Sequence, residues 1–114
     1  MFTEVEKNDM KKAMTEGLTL PQNTNISDLT MNIWESIAKL PIPLSSKFNI
    51  AGNSSILNII NENNESIMNL SINNDCISFE LAKPIYKFTD ADRRSAAFAT
   101  MTTIGVYNKL KYNV

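Results

Sequence analysis

Between positions 46 and 81 apolar residues recur at every second place, and no other feature limits the fold as tightly. Phe48 and Ile50 alternate with polar neighbours. Met68, Leu70 and Ile72 share one face, with Ile67, Asn69 and Ser71 on the other. Ile77, Phe79 and Leu81 alternate with Cys76, Ser78 and Glu80. A period of two marks a strand with one buried face and one wet face. Residues 55–61 add a further apolar run. Glu62-Asn63-Asn64-Glu65 and Asn73-Asn74-Asp75 interrupt these runs with turn chemistry, since Asn and Asp tolerate positive φ. Loops this short can only join antiparallel neighbours. Pro84 then restricts 85–88 to an edge strand or an extended linker.

The flanking segments follow a helical period. Thr3 and Glu6 have capping-box spacing, and Val5, Met10, Ala13 and Met14 form a rough stripe. Gly17 sits where a left-handed C-terminal residue belongs, with Leu18 placed to fold back on Ala13. A helix over 4–16 follows, and then a polar connector over 19–26. A second helix is expected over 27–40, with Ser27 as its N-cap and Leu29, Ile33, Ile37 and Leu40 at helical spacing. Trp34 and Ala38 widen that face. Pro41 and Pro43 end it.

The last helix begins near Asp90, where Thr89 and Asp92 repeat the capping spacing. Residues 95–108 then contain no charge. On a wheel of about 100° per residue, Ala97, Met101 and Ile104 fall on one side with Phe98 adjacent. Ala96, Ala99, Thr103, Val106, Tyr107 and Leu110 fall on roughly the other. A surface helix carries charges opposite its core stripe, and this one carries them only at its ends. It therefore needs cover on both sides, the second supplied by the first two helices or by another chain. Gly105, a poor helix former among β-branched neighbours, marks a kink, a close contact or the end of the helix. The expected fold is α+β: an antiparallel meander of three to five strands covered by a C-terminal helix, with two N-terminal helices, in one domain over 1–114.

Composition removes several function classes. Eleven Lys and Arg against twelve Asp and Glu leave no excess of positive charge for a phosphate backbone, so no nucleic-acid partner is expected. With no His and one Cys there is no Cys/His zinc site, no intramolecular disulfide, no His-based triad and no Cys–His dyad. No metal and no cofactor is expected. Only three glycines, none grouped, exclude a Gly-rich phosphate loop. No apolar run reaches membrane-spanning length and the N-terminus lacks a signal peptide's apolar stretch, which points to a cytoplasmic protein without a membrane partner. The abundance of Asn, Ile and Lys over Arg is the usage of an AT-rich coding source such as a phage, plasmid or AT-rich bacterium.

Carboxylate pairs are the remaining route to acid–base chemistry. Glu4 with Glu6 and Asp90 with Asp92 sit at helix starts, where capping and the dipole account for them. Glu62 with Glu65 sits in a turn. Cys76, beside Asp75 in a chain with no imidazole, reads as a structural thiol. The adjacent Arg93 and Arg94 are either a solvated first turn or a partner contact. Trp34 is either core or an interface anchor. The small-residue side, Ala96, Ala99 and Thr103 with Tyr107, suits close helix approach across a homodimer or partner interface. The expectation is a small non-catalytic protein-binding module acting through Arg93, Arg94, Ala96, Ala99, Thr103, Tyr107 and Trp34. The alternatives are a small-molecule or nucleotide binder using Arg93, Arg94 and Tyr107 between helices and sheet, and a structural subunit of a larger assembly.

Overall fold

The structure, a computed structural model, describes residues 2–112. The order is α1 (Glu4–Glu16), β1 (Leu18–Thr19), α2 (Ile26–Ala38), β2 (Leu44–Ala51), β3 (Ser54–Asn61), β4 (Ser66–Ile72), β5 (Cys76–Leu81), a 3-10 turn (Ile85–Lys87) and α3 (Asp90–Tyr112). The strands form one antiparallel sheet in the order β1-β5-β4-β3-β2. The α+β architecture read from the periodicity is the one adopted. The alternation decides which face is covered. In-register rows such as Phe48, Leu57, Leu70 and Phe79 bring apolar side chains together across four strands. The three helices lie on this face, with α1 against β5, α3 against β4 and β3, and α2 against β3 and β2. Removing such rows from water is the main force holding the layers together, at about 25 cal/mol per Å². The opposite face keeps Ser45, Lys47, Asn49, Ser78 and Glu80 in solvent.

The start of the chain folds as its capping chemistry dictates. The Thr3 hydroxyl accepts the Glu6 N–H at 3.1 Å, and the Glu6 carboxylate accepts the Thr3 N–H at 2.9 Å. Gly17 has φ 75°, and a Cβ there would lie 2.8 Å from the Ile77 carbonyl oxygen, so only glycine fits. Leu18 departs from the expected fold-back. It pairs with Ile77 as the first residue of an edge strand, and Leu20 behind it is buried. The segment read as a polar connector is thus fastened to the sheet.

Three further expectations are corrected. The N-cap of α2 is Asn25, whose side chain accepts the Asp28 N–H at 3.0 Å; Ser27 lies inside the helix. Residues 85–87 form a 3-10 turn and not a strand, because Pro84 has no N–H for a ladder and β1 already occupies the far side of β5. Strict alternation puts Ile67 on the wet face, yet it is fully buried in the main core. The pairing steps from Ile59–Met68 to Ile60–Ser66, leaving Ile67 as the extra residue of a β-bulge.

Helix α3 runs unbroken through Gly105. It is the middle helix of the layer, touching both α1 and α2. Ala99 and Thr103 are 0% exposed, and Ala96 and Tyr107 8%. Thr100 and Thr103 donate their hydroxyls to the carbonyls one turn back, of Ala96 and Ala99, at 2.8 and 2.9 Å. Both are therefore buried without an unpaired polar atom. The charge-free stretch is explained by this position: sheet beneath, a helix on each side. On the outer side the Phe2 ring meets Phe98 at 5.4 Å, and Gly105 faces solvent.

Candidate functional site

The residues proposed from sequence do not form one site. Ala96, Ala99, Thr103 and Tyr107 are filled against the chain's own core, so the stripe that suggested a homodimer offers no surface to a second copy. The Tyr107 hydroxyl donates to the Thr19 carbonyl at 2.7 Å. Arg93 and Tyr107 are separated along one continuous helix by about 20 Å at 1.5 Å per residue. The pocket imagined between Arg93, Arg94 and Tyr107 is therefore not assembled. Trp34 is half-buried. Its indole N–H donates to the Ser46 carbonyl at 3.1 Å, and its ring meets Phe48 edge-on at 5.6 Å. It thereby caps part of β2, the strand at the open edge of the sheet. Arg93 and Arg94 remain exposed.

One charged cluster gathers around a buried carboxylate, that of Asp92. Lys83 Nζ lies 2.8 Å from Asp92 Oδ2 and 3.8 Å from Glu65 Oε2. The Asn61 amide donates to Asp92 at 2.8 Å and to Glu65 at 3.2 Å. The Thr89 N–H also donates to Asp92, while the Thr89 hydroxyl accepts the Asp92 N–H. This brings together Glu65 and Asp92, carboxylates that sequence spacing had paired with other partners. The Lys83 hydrogen bond, with those from Asn61 and Thr89, outweighs burial and holds the Asp92 carboxyl down at about 2. The same hydrogen bond raises the Lys83 ammonium above its ordinary value. An acid held that far below neutrality is a poor proton donor. The cluster is a clamp tying the start of α3 to the β3–β4 hairpin. Among the described residues no group of three or more Cys, Asp or Glu is placed to hold a metal ion, and no helix is long and apolar enough to cross a membrane.

The clamp has a consequence for the segment beside it. Lys83 is held by Asp92 and also lies over the Phe88 ring at 5.6 Å, and Phe88 is buried. Between these two fixed points the 3-10 turn is pushed outward, leaving Ile85 56% and Tyr86 78% exposed. Next to them is a groove of about 210 Å³ between α1, the end of β5 and α3, lined by Met10, Met14, Leu81, Phe88 and Ala97 with Arg93 on its margin. Larger hollows of about 570 and 480 Å³ lie between α2 and α3 and between α1, β1 and α3. Their walls mix acidic and basic side chains, as exposed helix flanks do. In the second, the Tyr107 hydroxyl is already engaged by Thr19. The smaller groove is the one whose wall is almost wholly apolar.

Sequence reasoning missed this site. The available signal was the Ile85-Tyr86 pair, too short and too close to Pro84 to join the meander. Met10 and Met14, read as part of the α1 stripe, line the groove. Comparisons with protein-family models, curated proteins and solved structures find no match.

Proposed function

We propose that the chain is a small non-catalytic protein-binding module that acts by occluding or bridging a surface of another protein. The observation that carries this reading is the exposed Ile85-Tyr86 pair beside the methionine-lined groove, held outward by the Lys83 clamp and the Phe88 anchor. Large apolar side chains clustered at a surface groove mark contact sites, whereas single scattered ones are ordinary. Tyr and Arg are also the types enriched at energetic centres of interfaces. The groove is smaller than the roughly 300–1,000 Å³ that buries a small-molecule ligand, which favours an anchoring side chain over a cofactor.

The test compares capture from the source organism's extract by the native protein and by the Ile85→Glu/Tyr86→Glu double variant. A Val5→Glu control changes another exposed apolar residue at the start of α1. Circular dichroism checks that all three fold alike. The expected result is a partner retained by the native and control proteins and lost with the double variant. Identical capture by all three would remove the reading.

A further inference from the structure

We infer that the groove's occupant is Tyr86 of a second copy of the chain, two molecules exchanging rings across a two-fold axis; this rests on the reading of the patch as a contact surface. The size of the hole narrows the choice first. A cavity of about 150 Å³ holds one benzene ring, so a groove of about 210 Å³ takes a single ring and little more. Its charge narrows the choice further. Arg93 is the only charged side chain among its lining residues, and Asp90 at 3.4 Å neutralises it. The Thr100 hydroxyl, also in the lining, is already spent on the Ala96 carbonyl. Such a hole suits an uncharged plug. Among the described residues the large apolar side chains left exposed are Val5, Ile56, Ile85 and Tyr86, and of these Tyr86 alone carries a ring. It follows Ile85, which is itself part of the groove wall. Plug and hole therefore share one patch, while the ring, 78% exposed, stays outside its own groove. An isologous contact needs a patch complementary to itself, and it closes as a pair without growing into a filament. A second copy also brings its own Asp90–Arg93 pair, so the margin gains no unmatched charge. Ala99 and Thr103, fully buried within each chain, take no part. An aromatic side chain buries roughly 150–250 Å². Two rings, with as much groove wall covered in return, come to about 600–1,000 Å², the low end for specific interfaces. The pair is weak and forms as concentration rises.

The experiment follows the full chain by sedimentation equilibrium as its concentration is raised. The native protein is expected to climb from the mass of one chain towards twice that mass. Tyr86→Ala removes the plug from an exposed position, and Ala97→Trp fills the groove; circular dichroism checks that both variants fold. Each should weaken association at least roughly tenfold, as loss of an interface anchor does. A mixture of isotope-labelled and unlabelled native chains then places the contact. Filtered nuclear Overhauser signals should join the Tyr86 ring of one copy to the methyls of Met10 and Met14 in the other. A native chain that keeps the mass of one molecule at the highest concentration overturns the inference. So does a Tyr86→Ala variant that pairs as well as the native chain. Specific capture in the preceding test by a chain that never pairs would leave the contact surface standing and sink only the second copy. Loss of both results removes both.

Discussion

Asp92 shows how far one side chain determines its surroundings. Its backbone N–H and its carboxylate close the capping box with Thr89, and the same carboxylate receives Asn61 and Lys83. A carboxyl whose folded value is about 2, against 3.8 in the open chain, stabilises the fold only while ionised. That contribution is complete above 3.8 and drains away as pH falls toward 2. Lys83, raised by the same contact with Asp92, sets the other limit: the pair is also lost when the ammonium gives up its proton in strong alkali. Urea titrations of the native chain should therefore show falling stability over the acid window. Asp92→Asn should cost about 2 kcal/mol at neutral pH and flatten that acid slope. An unchanged slope in the variant would assign the acid sensitivity to other carboxylates.

Helix α3 teaches the corresponding lesson for a whole element. Its start was legible because Thr89 and Asp92 have the spacing that capping demands. Its path through Gly105 was not, since β-branched neighbours and a glycine argue against a helix locally. Packing between α1, α2 and the sheet overrides that local preference. Gly105 is exposed with open space around the position of a Cβ. Gly105→Ala should thus stabilise the protein by about 0.5–1 kcal/mol, read as a higher urea midpoint at unchanged slope. A loss would mean that the helix needs glycine's freedom there. The strands were legible for a different reason. Alternation reports burial directly, so Leu70, Ile72 and Ile77 fell on the covered face as expected. Ile67 did not, because a bulge changes parity without leaving a mark in the sequence. The reading of the small-residue stripe on α3 met the same kind of ambiguity. Small residues at helical spacing fit a helix packed inside its own chain as well as one packed against another.

Across the whole molecule the cover is one-sided. The radius of gyration, 13.3 Å, is what a compact chain of this length has, about 13 Å. The exposed area, 7031 Å², exceeds the roughly 6,300 Å² that size scaling gives. A sheet with helices on one face and water on the other has that extra surface. The weakest attachment is at the N-terminal side, where β1 contributes two pairs to the sheet and the Tyr107 hydroxyl holds the Thr19 carbonyl. Tyr107→Phe should lower stability by about 1 kcal/mol and speed hydrogen exchange at Leu18 and Leu20 first, leaving β3 and β4 protected. Equal acceleration everywhere would mean that this segment opens only with the whole fold.

The bond from Tyr107 to Thr19 spans 88 residues, and that span sets a schedule. Translation delivers Thr19 well before Tyr107, so β1 emerges long before its fastening. Until those later elements emerge, β1 has neither β5 to lie beside nor α3 to lean on. A nascent chain stalled before α3 would present that segment, and the bare meander, to whatever waits at the ribosome exit.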